Sequence, residues 1–135
     1  GDLVLIDAGC EFAYYAADVT RTYPASGRYS QAQRALYDLV LKANRGAIAA
    51  CRPGVAFNQP HDVATQILVD GLIALSLLRG AAPALIASRA HERFCPHKTS
   101  HWLGLDVHDV GDYRLGEQWR DLMPGMVLVL DTDTD

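Results

Sequence analysis

Helical periodicity fills the middle of this chain and β-like runs fill both ends, which narrows the fold class at once. Ser30-Gln-Ala-Gln33 matches a capping box, in which the Gln33 side chain reaches back to the Ser30 amide. The helix it opens sets Ala35, Leu36, Leu39, Val40, Ala43 and Ala47 on one stripe, and Arg52-Pro-Gly54 ends it. A second helix starts near Asn58 or Pro60 and runs to Leu78, with Gly80 as its stop. Its apolar positions Val63, Ile67, Leu72, Leu75 and Leu78 suit packing on a sheet. A shorter third helix covers residues 83–88.

The flanks read differently. Residues 3–6 form an apolar run ending at Asp7-Ala-Gly9, and residues 14–22 form a second strand-like stretch that Pro24-Ala-Ser-Gly27 breaks. Two such runs around a Gly-containing turn suggest a hairpin that folds Asp7 toward Asp18. The register stays open, because a slip of one residue moves a side chain to the other face. In residues 101–111, Leu103, Leu105 and Val107 alternate with Gly104, Asp106 and His108, the period of an extended strand. Residues 112–121 read as a charged loop, and residues 126–130 as a last strand after Pro124-Gly125. Strands around a helical middle give an α+β layout, one domain with helices packed on a curved sheet.

The net charge of −4, with basic residues scattered, offers no footprint for nucleic acid or an anionic membrane. No apolar run approaches the roughly 20 residues of a membrane span; the longest, residues 67–78, contains Asp70 and Gly71. Cys10, Cys51 and Cys95 are too widely spaced for a zinc motif and read as reduced thiols in a cytoplasmic protein. The chain opens on a strand without an initiator Met, as a piece of a longer protein would.

Three of the five histidines, His97, His101 and His108, fall within twelve residues. Asp7, Asp18 and one histidine, with further carboxylates near Asp131, make an oxygen-rich donor set. Such donors suit hard divalent ions better than thiolate-rich zinc sites do. Histidines outside the metal shell could stabilise an oxyanion or move protons, as a metal-assisted hydrolase requires. Taken singly, each residue reads as ordinary: an Asp after a strand is usually a turn residue, and a His in a strand is usually hydrogen-bonded structure.

The strings Val4-Leu-Ile-Asp-Ala-Gly-Cys10, Ala17-Asp-Val-Thr-Arg-Thr-Tyr-Pro24 and Ser100-His-Trp-Leu-Gly-Leu-Asp-Val-His-Asp-Val-Gly111 resemble the aminopeptidase P (Xaa-Pro aminopeptidase) family. Residues 29–37, Arg52-Pro-Gly54 and Pro124-Gly-Met-Val-Leu128 resemble it too, so the likeness runs along nearly the whole chain. It implies the pita-bread fold shared with prolidase, methionine aminopeptidase and creatinase, and residues 1–135 as a partial catalytic metallopeptidase domain. It also implies metal ligands at Asp7, Asp18, His101 and Asp131, with His97 and His108 as catalytic histidines. Arg21, Trp102 and Asp109 would support the site. The implied reaction is release of an N-terminal residue that precedes proline, with two manganese ions; zinc, cobalt and magnesium are the alternatives. The partner would be a peptide with proline in second place, and the full-length parent would be a homo-oligomer.

Three departures qualify that reading. Lys98 follows His97 where the family has glycine, so it either displaces His97 or points to solvent. Asp131 stands at a glutamate position and is one methylene shorter, and the family's Pro-Gly is replaced by Thr132-Asp-Thr-Asp135. The family's last bridging glutamate lies on a later strand, outside these residues. By itself the chain is therefore expected to hold a metal pair poorly and to be weakly active or inactive. Prolidase, a metal-independent creatinase-like hydrolase and a non-catalytic binding protein on the same fold are the competing readings.

Overall fold

The computed structural model describes residues 1–132; residues 133–135 of the Thr-Asp tail lie outside them. The chain runs β1 (Leu3–Ala8), β2 (Glu11–Phe12), β3 (Tyr15–Ala16), β4 (Val19–Pro24), α1 (Gln31–Ala50), α2 (Gln59–Ala74) and α3 (Ala82–Ala87). A 3-10 turn at Ala90–Arg93 follows, then β5 (Ser100–Trp102), β6 (Arg114–Leu115), β7 (Gln118–Trp119) and β8 (Leu128–Leu130). The α+β class holds. The expected single curved sheet does not: the described strands pair as four antiparallel ribbons, β1–β4, β2–β3, β5–β8 and β6–β7.

The helices form as their sequence dictates. Ser30 Oγ accepts from the Gln33 amide while Gln33 Oε1 accepts from the Ser30 amide, the reciprocal box that satisfies two otherwise orphaned donors. The principal core lies between α1 and α2, where Leu39, Ala43 and Ala47 meet Ala64, Leu68 and Leu72. Small residues make that approach possible. A Cβ on Gly71 would stand 2.1 Å from Leu39 Cδ1, and one on Gly46 would stand 2.5 Å from Ile67 Cδ1. The α2 stripe thus packs first on α1, whereas a sheet was expected. The helix also stops four residues short of Leu78. Ser76 turns left-handed (φ 61°), and the Leu77 and Leu78 amides both donate back to the Leu72 carbonyl, capping the last turn before Gly80 is reached.

A second core joins Phe57, Trp102 and Leu122, with Tyr113 and Met126 packed against it. Phe57 sits at its centre, its ring centroid 5.1 Å from Trp102 and 4.8 Å from Tyr113. This aromatic cluster anchors the far end of β5. The residues expected to form a charged loop instead contain the β6–β7 hairpin, whose Arg114 guanidinium lies 4.0 Å over the Trp119 ring.

A candidate metal centre at the crossing of two ribbons

The β1–β4 register is Leu3↔Pro24 through Ala8↔Val19, and it continues through the interruption, with Ala17 N–H donating to Cys10 O at 2.9 Å. It resumes as Glu11↔Ala16 and Phe12↔Tyr15. The hairpin was expected; its turn was not. The chain reverses at Ala13 and Tyr14, both left-handed (φ 52° and 73°), the backbone a two-residue hairpin turn demands. Gly9 has a different task, since a Cβ there would sit 1.6 Å from the Ala17 carbonyl oxygen. The expected continuous strand over residues 14–22 is broken at that close approach, and Asp18 stands in the break rather than within a strand.

This register settles which face the two carboxylates share. Asp7 pairs with Thr20, and Asp18 lies two residues before Thr20, opposite Gly9. Side chains two apart on one strand point the same way, so Asp7 and Asp18 are diagonal neighbours on one face. Asp7 is exposed, whereas the Asp18 side chain is only 11% exposed.

His101 reaches this face from β5. Its Nε2 lies 3.2 Å from Asp18 Oδ2, across 83 residues of sequence, with the imidazole 15% exposed. Its Nδ1 lies 2.9 Å from the Trp102 carbonyl oxygen. A backbone carbonyl and an ionised carboxylate both only accept, so the two ring nitrogens of His101 each face an acceptor. A metal-ligating histidine commonly ties its other ring nitrogen to a backbone carbonyl, and the Nδ1 contact to Trp102 has that arrangement.

The Trp102 carbonyl also accepts from the Asp109 amide at 3.1 Å, and the Gly104 carbonyl accepts from Ala16 N–H at 2.8 Å. These bonds replace the expected long strand over residues 101–111 with three residues of β5 and a tight loop. The alternation of Leu105 and Val107 was misleading, because both are exposed in that loop. Folding back packs His108 edge-on against His101, ring centroids 4.3 Å apart at 88°. Asp109 supports the loop, its Oδ1 accepting from the Val110 amide at 2.9 Å, and Trp102 is buried in the aromatic core. Arg21 is exposed and donates to the neighbouring Thr20 carbonyl.

β8 pairs with β5 through His101↔Val129, and the Asp131 amide donates to Thr99 O at 2.6 Å, one step further along the ladder. Asp131 and Asp18 line the same cleft of about 530 Å3 between β4, α1 and β8. Asn44 of α1 fastens β8 there by donating to Leu130 O at 2.8 Å. His97 donates through Nδ1 to the Lys98 carbonyl at 3.1 Å. Lys98 is exposed, which favours the solvent-pointing alternative.

Sequence reasoning missed His61. On the first turn of α2, its Nδ1 lies 2.9 Å from Thr99 Oγ1, so α2 holds the segment between His97 and His101. Burial, reinforced by the nearby Lys98 charge, pushes the His61 pKa below its ordinary 6.5. No spacing rule marks such a residue, because its partner lies 38 positions away.

The donors fit divalent ions in chemistry: two carboxylates on one face, an imidazole 3.2 Å from one of them, and a third carboxylate across the cleft. The fit stops at placement, for among the described residues no three His, Cys, Asp or Glu side chains converge closely enough to hold an ion.

The pattern of Metallopeptidase family M24 matches residues 1–133, and the chain belongs to that family. It is 50% identical to the Xaa-Pro aminopeptidase of Haemophilus influenzae over 97% of this chain and 30% of the relative. The structure of Pseudomonas aeruginosa aminopeptidase PepP superposes with a TM-score of 0.92 at 51% identity, over 95% of this chain and 29% of that one. Zinc-substituted Escherichia coli aminopeptidase P in complex with product does so at 0.88 and 50%, with the same coverage. The fold is therefore the pita-bread fold of this family. The chain spans about 30% of the length of the curated relatives it matches.

Proposed function

We propose that the full-length protein carrying this chain is a metal-dependent aminopeptidase that releases an N-terminal residue followed by proline. Residues 1–135 form part of its catalytic domain. The observation that carries this reading is the meeting of His101 with Asp18, Nε2 lying 3.2 Å from Asp18 Oδ2 while Nδ1 lies 2.9 Å from the Trp102 carbonyl oxygen. The names of the similar Xaa-Pro aminopeptidases support the substrate class.

Asp7, Asp18, His101 and Asp131 would hold two divalent ions, with manganese the assignment and zinc, cobalt or magnesium the alternatives. Lewis acidity toward the scissile carbonyl is the chemistry such ions supply when bound. His108, steadied edge-on against His101, and His97 would donate hydrogen bonds where charge develops on the carbonyl oxygen and carry the proton to the leaving amine. The cleft beside Asp18 and Asp131 would receive the peptide backbone. The parent works in the cytoplasm as a homo-oligomer, with neither nucleic acid nor membrane as a partner; among the described residues no helix is long and apolar enough to cross a membrane.

The test is hydrolysis by the manganese-loaded full-length protein of tripeptides with proline second, against Xaa-Pro dipeptides and peptides lacking proline. The tripeptides should be cleaved, and Asp18→Ala and His101→Ala should each lower kcat/KM by more than the roughly 100-fold that loss of an outer-shell partner costs. Cleavage confined to dipeptides would make the protein a prolidase. Full activity in both variants would remove the site from the reaction.

A further inference from the structure

Apart from the candidate metal centre, the turn closing α2 and the 3-10 segment after α3 wall a second cavity of about 620 Å3. Three arginines line it, Arg79 from the first segment and Arg89 and Arg93 from the second. This is a local reversal of sign in a chain whose net charge is −4. The acidic side chain bonded to this group is Glu92, on Arg89, and three guanidiniums against one carboxylate leave two positive charges.

The guanidiniums are partly prearranged. Arg93 Nη2 donates to the Leu77 carbonyl at 3.0 Å while its guanidinium lies 4.6 Å over the Phe94 ring. Arg89 Nε donates to Glu92 Oε1 at 2.6 Å. Each contact uses one N–H and leaves the other donors for a ligand. Arg79 has no hydrogen bond or ion pair among the described residues.

Backbone strain gathers at the same place. Among the described residues four non-glycines are left-handed, and two of them, Ser76 (φ 61°) and Arg89 (φ 58°), line this cavity. Such conformations are costly and persist where the surroundings hold them, commonly at ligand sites. Here the Ser76 turn sends the Leu77 and Leu78 amides back to Leu72, which leaves the Leu77 carbonyl to fix Arg93.

We propose that this cavity binds a small molecule of the phosphate class, a phosphomonoester or a pyrophosphate group. A guanidinium fork matches two oxygens of a tetrahedral oxyanion, and three forks around one space can share its several charges. A carboxylate offers two oxygens and a single charge, fewer acceptors and less charge than a phosphate group brings to three guanidiniums. The volume lies within the range of small-molecule sites. The inference is independent of the peptidase reading, since none of these residues belongs to that centre.

The full-length protein is titrated calorimetrically with inorganic phosphate, pyrophosphate and glycerol 3-phosphate at matched ionic strength. Saturable binding to one site is expected, with pyrophosphate or the monoester above free phosphate identifying the form taken. Arg79→Ala and Arg89→Ala should each weaken it about tenfold or more. Glu92→Gln should tighten it, because it removes the negative charge that offsets Arg89 while keeping an acceptor for its Nε. Arg28→Ala, a distant exposed arginine, should leave it unchanged. Arg79→Lys, which keeps the charge without the fork, should fall between wild type and alanine and serves if an alanine variant misfolds. Absence of saturable binding overturns the proposal. So does binding that ignores both arginine variants and vanishes in Asp18→Asn, which would assign the anion to the metal centre.

Discussion

Asp131 concentrates the residue-scale question, because its carboxylate sits one methylene short of where a glutamate would reach while its backbone is fixed by the 2.6 Å bond to Thr99. A rigid ladder cannot slide to compensate. Manganese titration of the 135-residue chain should therefore show fewer than two tight sites, and Asp131→Glu should tighten binding roughly tenfold. An unchanged isotherm would remove Asp131 from the ligand set. His61 makes a prediction of a different kind. Its pKa in the folded protein lies below the ordinary 6.5, so folding favours the neutral ring. The stabilisation is complete above pH 6.5 and is lost as the pH falls below it through the folded value. Melting temperature should fall on acidification through this window, with a shallower slope in His61→Asn, which keeps a polar group near Thr99 without titrating. Equal slopes in the two proteins would dismiss the effect.

At the scale of elements, α1 holds the candidate site from beneath: its N-terminus is fixed by the capping box, and its middle fastens β8 through Asn44. Ser30→Ala should cost about 1 kcal/mol in denaturant unfolding, the usual worth of such a cap. A loss of a few tenths or less would mean that the α1–α2 core alone sets the helix boundary. The elements most legible in the sequence were those governed by local rules. The box at Ser30, the helical stripe through Leu39 and Ala43, and the break after Pro24 needed only neighbours within a few residues. The loop at residues 103–109 was illegible for the opposite reason. Its alternating pattern is a strand pattern, yet the Trp102 carbonyl takes the Asp109 amide and the Gly104 carbonyl takes the distant Ala16 amide, so the chain curls.

At the scale of the molecule, the β1–β4 ribbon stands apart from both cores. Leu3, Val4, Leu5 and Ile6 are each 45–49% exposed, on both faces of the strand. Apolar strands uncovered in this way template pairing with other chains. The 135-residue chain should associate as its concentration rises, by light scattering, and Leu5→Lys should suppress this. A monomer at every concentration tested would show that the ribbon is protected after all.

From the sequence alone came the α+β class, which local periodicity carries, and, through the resemblance of its strings to the aminopeptidase P family, the identity of every residue proposed for the metal centre. Tertiary structure decided what depends on distance. It set the register that puts Asp7 and Asp18 on one face, the 3.2 Å meeting of Asp18 with His101 across 83 residues, and the 2.9 Å contact of His101 Nδ1 with the Trp102 carbonyl oxygen. It also placed Arg79, Arg89 and Arg93 around one cavity and His61 against Thr99. These juxtapositions arise from how α2 turns at Ser76 and how the ribbons cross α1. No local pattern encodes them, since the contacts responsible join segments that are neighbours only once the chain has folded.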